Sequence, residues 1–68
     1  MVSDEPTQSV IRRLLKAGFE KSEGKGSHTK WIHPQSGAYV VVPTGHRKIS
    51  PGVVRQVDRA IERSEGRT

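Results

Sequence analysis

The stretch His28-Thr29-Lys30-Trp31-Ile32-His33-Pro34-Gln35-Ser36-Gly37-Ala38-Tyr39-Val40-Val41-Val42-Pro43 decides the fold. Its flanks, 28–33 and 38–42, are rich in β-branched and aromatic side chains, which fit a pleated surface. Between them lies Pro34-Gln35-Ser36-Gly37, a turn of the Pro-x-x-Gly kind. Pro43 ends the second flank because proline cannot donate to a ladder. An antiparallel hairpin follows. Alternation along its first strand puts Trp31 with Thr29 and His33 on one face, and His28, Lys30 and Ile32 on the other. Neither face is cleanly apolar, so Trp31 has two readings: a packing residue, or a platform on which a base stacks. In so small a core, packing is the expectation.

Upstream, Phe19 to Glu23 reads as a short strand, and Gly24-Lys25-Gly26-Ser27 breaks regular structure because two glycines permit backbone angles that other residues resist. Before it, a helix runs from about Gln8 to Ala17, capped by Thr7 and closed by Gly18 in a left-handed conformation. Val10, Ile11, Leu14 and Leu15 share one arc of that helix, and Ser9, Arg12, Arg13 and Lys16 the opposite one. Downstream, Thr44-Gly45-His46-Arg47-Lys48 is an exposed basic loop. Ser50 caps a second helix with Pro51 in its first turn, running to about Arg63. Its apolar face is Val53, Val54, Val57, Ala60 and Ile61.

The order helix, strand, strand, strand, helix predicts an α+β two-layer sandwich. A three-stranded antiparallel sheet carries both helices on one face and leaves the other open. Residues 7–63 form one domain, and 1–6 and 64–68 are expected to be disordered tails.

A chain of 68 residues, 31% hydrophobic, has room for one thin core, since a chain this short buries only about 60% of its unfolded surface. It contains no cysteine, which excludes disulfide staples, zinc ribbons and thiol catalysis. The acidic, polar start Met1-Val2-Ser3-Asp4-Glu5 lacks the basic and apolar regions of a signal peptide. No run is long and apolar enough to span a membrane. A cytoplasmic protein is expected. The net charge of +5 is unevenly placed: from Arg12 to Lys48 there are eight Lys and Arg against two acids. Such a basic segment is the footprint of a polyphosphate binder, and equally of a solvated basic surface.

The residues that can carry chemistry cluster at Gly24-Lys25-Gly26-Ser27-His28, with Lys30 and Trp31 just beyond. Glycines let the backbone approach a phosphate closely, lysine supplies charge and serine can donate to a phosphate oxygen. A histidine exchanges protons near neutral pH. The mixture suits RNA cleavage, in which a 2′-hydroxyl attacks the adjacent phosphorus while an imidazole takes or gives a proton and lysines offset developing charge. No metal and no cofactor is required. The glycine pair matches neither a Walker motif nor a dinucleotide fingerprint, and the same residues also describe a flexible loop with a surface histidine.

A second cluster, His46-Arg47-Lys48, can grip phosphates, and His46 is a candidate partner acid or base for His28. It also reads as a solvated loop. His28, His33 and His46 match no zinc spacing, and His33, before Pro34, is most simply a turn-flanking residue.

Leu14-Leu15-Lys16-Ala17-Gly18-Phe19, Gly26-Ser27-His28-x-x-Trp31, His33-Pro34 with Gly37, and Val40-Val41-Val42-Pro43 occur in that order. Together they resemble the HicA toxin family of toxin–antitoxin systems, from about Val10 to Ile61. The resemblance implies a double-stranded-RNA-binding-domain-like fold, a toxin that blocks translation by cleaving mRNA, and neutralisation by a HicB antitoxin. It assigns the catalytic role to His28, while the phosphate chemistry of the two clusters makes Lys25, Ser27, Lys30, His46, Arg47 and Lys48 the candidate RNA-binding residues. Many members carry a second histidine where this chain has Thr29, and its second helix is richer in charge. The alternative is a non-catalytic RNA-binding module using the open sheet face and the basic arc Arg12, Arg13, Lys16. A third reading is an interaction domain whose basic surface meets an acidic partner.

Overall fold

The computed structural model describes residues 3–66. Its elements are β1 (Glu5–Pro6), α1 (Thr7–Lys16), β2 (Glu20–Lys25), β3 (His28–Ile32), β4 (Tyr39–Val42), β5 (Lys48–Ile49) and α2 (Pro51–Ser64). β2, β3 and β4 form an antiparallel sheet in that spatial order, and β1 pairs with β5 in a separate two-stranded ladder. The α+β sandwich with three central strands is therefore present.

Burial follows the alternation of the hairpin. Thr29, Trp31 and His33 on β3 and its end, with Val40 and Val42 on β4, are buried, whereas His28, Tyr39 and Val41 on the opposite face are exposed. Val10 and Leu14 of α1 and Val54, Val57 and Ala60 of α2 close the buried side with Phe19 and Ile49. Trp31 is thus a core residue and is not displayed as a stacking platform. Truncating a fully buried side chain such as Leu14 to alanine costs about 2–5 kcal/mol, a large part of the stability of a domain this small.

Two ends of α1 are built differently from each other. At the C-terminus, Gly18 adopts φ 95°, its N–H donates to the Leu15 carbonyl, and the Phe19 N–H donates to that of Leu14. This pair of hydrogen bonds is the Schellman arrangement expected of a left-handed glycine, and it turns the chain straight into β2. At the N-terminus, the expected Thr7 cap is replaced. The helix begins at Thr7 itself with Pro6 at the cap position, and the Thr7 hydroxyl donates to the His46 carbonyl instead. Ser50 likewise precedes α2 without a side-chain cap, although Pro51 does occupy the first turn.

Residues 5–6, expected within a frayed tail, are ordered. Glu5 pairs opposite Ile49 and Pro6 opposite Lys48, and the Glu5 carboxylate accepts from Ser9 and from two nitrogens of Arg13. At the other end α2 runs through Ser64, one residue past the expected stop, and Thr68 and Arg67, like Met1 and Val2, lie outside the described residues.

Candidate functional site

The glycine-rich loop is shorter than its sequence implies. β2 continues through Gly24 and Lys25, so only Gly26 and Ser27 form the connection to β3. Gly26 has φ 63°, a left-handed angle that a two-residue hairpin turn demands and that costs other residues about 1–2 kcal/mol. Consequently Lys25 stands directly opposite His28 in the ladder, Gly24 opposite Thr29 and Glu23 opposite Lys30. Directly opposed residues share a face of the sheet. Lys25, His28 and Lys30 therefore point from the open face, away from the helices.

Ser27 and His28 are both exposed, with the Ser27 hydroxyl 3.5 Å from His28 Nδ1. At that length the contact orients the ring only loosely. The tip is fixed from outside the hairpin. The Gly45 N–H donates to the Ser27 carbonyl at 2.9 Å, and the Thr44 and Thr29 hydroxyls lie 2.7 Å apart. A Cβ built on Gly45 would fall 2.4 Å from the Ser27 Cβ, so glycine is required there by proximity and not by backbone angle. Thr29, through that contact with Thr44, serves as the lower anchor of this docking.

Gly45 connects the two basic clusters that lie apart in sequence. The loop 44–47 that docks on Ser27 also holds the start of α1: the Thr7 N–H donates to the Arg47 carbonyl at 2.9 Å. His46 and Arg47, with exposed side chains, line a groove with Thr7, Ile11 and Gly45. Lys48 belongs to β5, opposite Pro6, and is exposed. Its expected place in a free loop is corrected by that pairing. Lys30 lies 4.8 Å from the Tyr39 ring centroid, a cation–π contact on the open face.

His33 is separate from this site. It is buried against Phe19, with ring centroids 5.3 Å apart. Its Nδ1 accepts the Ser36 N–H at 3.2 Å and lies 2.8 Å from the Ser36 hydroxyl. Because Nδ1 is the acceptor, the neutral ring carries its proton on Nε2. His33 thus pins the 34–37 turn, the role its position before Pro34 predicts. Among the described residues, no three His, Cys, Asp or Glu side chains gather to hold a metal ion.

The basic arc of α1 is only partly available. Arg13 pairs with Glu5 at 2.9 Å and with Asp58 at 2.7 Å, joining the N-terminal segment, α1 and α2. Burial opposes ionisation of Glu5, but hydrogen bonds from Arg13 and Ser9 and the Arg13 charge outweigh it and hold the carboxyl below its usual value. The charge-rich α2 has a structural use at Asp58. Arg12 and Lys16 remain exposed.

Gly45 and Thr44 were not among the residues singled out from the sequence. The available signal was a glycine two residues after a strand-ending proline, and what it must approach lies 18 residues upstream in the chain.

No helix among the described residues is long and apolar enough to cross a membrane. Comparison with curated proteins finds none that matches. A family model described as the HicA toxin of bacterial toxin–antitoxin systems matches residues 7–64, a span that includes both helices, all three central strands, the Gly26-Ser27 turn and the 44–47 loop. The chain belongs to the HicA toxin family.

Proposed function

We propose that this toxin is a metal-independent endoribonuclease of the cytoplasm that cleaves mRNA, with His28 as its catalytic residue. The observation that carries this reading is the tip of the β2–β3 hairpin. Ser27 and His28 are exposed on a turn held by Gly45, Lys25 stands opposite His28, and the 46–48 cluster is tied to the same turn. A phosphate entering there meets the Ser27 hydroxyl and the Lys25 ammonium while its ribose neighbours the imidazole.

In the reaction the 2′-oxygen attacks phosphorus, the new O–P bond forms and the bond to the 5′-oxygen breaks. The products are a 2′,3′-cyclic phosphate and a free 5′-hydroxyl. His28 either removes the 2′-proton or protonates the departing 5′-oxygen, the kind of transfer worth about 10²–10⁴ in rate. Lys25 and Lys30 offset charge gathering on the phosphorane oxygens. His46 stands as the complementary acid or base, and Arg47 and Lys48 hold the strand as phosphate contacts. A HicB-like antitoxin is the protein partner that covers this surface.

Purified protein incubated with single-stranded RNA in chelator, beside a His28→Ala variant, tests the assignment. Cleavage by the first and its loss in the second is the expected result. Equal cleavage by both would sink it. Single-stranded DNA of the same sequence, which lacks the attacking hydroxyl, stays intact.

A further inference from the structure

Beyond the hairpin tip, the sheet has a second feature that the cleavage reading leaves unused. The order β2-β3-β4 gives two free edges, and they are treated very differently. β2 carries Glu20, Lys21, Glu23 and Lys25, and its register slips between Lys21 and Glu23. Charges and a bulge are the usual means of keeping another strand from pairing with an edge. β4 is Tyr39-Val40-Val41-Val42, with no charge, no proline and no register slip against β3.

The orientation of the β4 backbone follows from its pairing. The His33 N–H donates to the Ala38 carbonyl at 2.8 Å, so His33 and Ala38 face each other through their main chains. The groups alternate along an antiparallel pair. Val40 and Val42 therefore face β3, while the N–H and C=O groups of Tyr39 and Val41 point to the free edge. Their side chains are also unusually open for large apolar residues, 59% and 43% exposed. Beneath that edge, α2 adds Gln56, Arg59 and Arg63 to a groove whose upper wall is Tyr39 to Val41. Arg59 and Arg63 are exposed and form no ion pair among the described residues.

We propose that the free edge of β4 is a docking strand for an extended segment of a protein partner in which acidic and apolar residues alternate. The segment pairs with the main chains of Tyr39 and Val41. Its apolar residues continue the open face beside those two side chains, and its alternate residues point toward α2, where carboxylates meet Arg59 and Arg63. A nucleic acid strand satisfies the arginines but has no main chain with the N–H and C=O period of the edge. A second copy of this chain fits poorly, since pairing β4 with itself brings Arg59 and Arg63 of both copies to one seam. The site is independent of His28 and of RNA cleavage.

Amide hydrogen exchange on the labelled protein tests this with a peptide of about ten residues alternating Glu and Val, long enough to form a strand. A peptide with the same residues in two blocks and a single-stranded RNA serve as controls. Only the alternating peptide is expected to slow exchange at Tyr39 and Val41, by about tenfold or more, a clear binding effect. Val41→Pro removes an outward N–H and leaves the β3 ladder intact, so it should abolish that protection. Arg59→Glu with Arg63→Glu changes only exposed charges and should weaken peptide binding at least tenfold. Protection by RNA or by the block peptide, unchanged binding in the arginine variant, or a concentration-dependent dimer that buries the edge would overturn the proposal. His28→Ala should bind the peptide as the parent does, which separates this site from the cleavage reading.

Discussion

The main-chain N–H of Gly45 donates to the carbonyl of Ser27 at 2.9 Å, at a separation where a single added carbon would fall 2.4 Å from the Ser27 Cβ. This contact couples two stretches that composition alone presents as independent basic loops. The hairpin tip is thereby fastened from outside its own ladder, by a residue with no side chain.

Gly45→Ala should therefore damage function more than folding. Its methyl must push the Ser27 turn aside, an overpacking cost of about 1–3 kcal/mol. RNA cleavage should fall at least tenfold while the helical circular dichroism survives, because displacements of about 1 Å at a reacting group cost on the order of a hundredfold. Melting and cleavage measured on the same preparation check this, and unchanged cleavage would show that the tip is positioned by the β2–β3 ladder alone.

Substitutions at the tip itself should separate the two properties in the opposite way. His28 and Lys25 are exposed, so His28→Ala and Lys25→Ala should leave stability within about 0.5 kcal/mol. Cleavage should drop by about 10²–10⁴ for the histidine and by less for the lysine. Urea unfolding beside a single-turnover RNA assay distinguishes these outcomes.

The Glu5–Arg13–Asp58 network should make stability depend on pH. Glu5 is held below its ordinary value in the folded protein, so its contribution is fully present above the ordinary glutamate range. It is lost as pH falls through the lowered folded value. Glu5→Gln should destabilise by about 1 kcal/mol at pH 7, as partly exposed networks do, and the gap from the parent should close in acid. Urea midpoints measured from pH 7 down to pH 3 check this; a gap that stays constant removes the ionic contribution.

Trp31 is 5% exposed, and its Nε1 has no hydrogen-bond partner among the described residues. Its fluorescence should be blue-shifted in the native state, move to longer wavelength on unfolding and stay unquenched by RNA. Trp31→Ala should cost about 3–5 kcal/mol and unfold much of the population at 37 °C. Trp31→Phe, which also removes the unpartnered N–H, should cost considerably less. Thermal melts of the two variants rank them.

The hairpin was legible from the β-branched and aromatic residues on either side of the Pro34-Gln35-Ser36-Gly37 turn, and both helices because Val10-Leu14 and Val54-Val57-Ala60 follow the 3.6 period. β1 and β5 were not, since two residues are too few to show a period and Pro6 next to a helix reads as a terminus. Arg13 has the sequence context of a solvated cation. Its partners Glu5 and Asp58 lie on other elements, and only the closure of α1 on α2 reveals that they take its charge. Lys25, Ser27 and His28 were legible as a cluster through their residue types. The loop that fastens them was hidden, because contact between Ser27 and Gly45 depends on the path of the chain through β3 and β4.

Every residue of β2 is exposed. The strand is held by its ladder to β3 and by Phe19 at its root, and no side chain between Glu20 and Lys25 enters the core. Exchanging one of them disturbs little that the fold depends on. Half of the hairpin that carries the site is therefore open to change: natural variation can rewrite the charges flanking His28 one position at a time, while the layer beneath keeps the same shape.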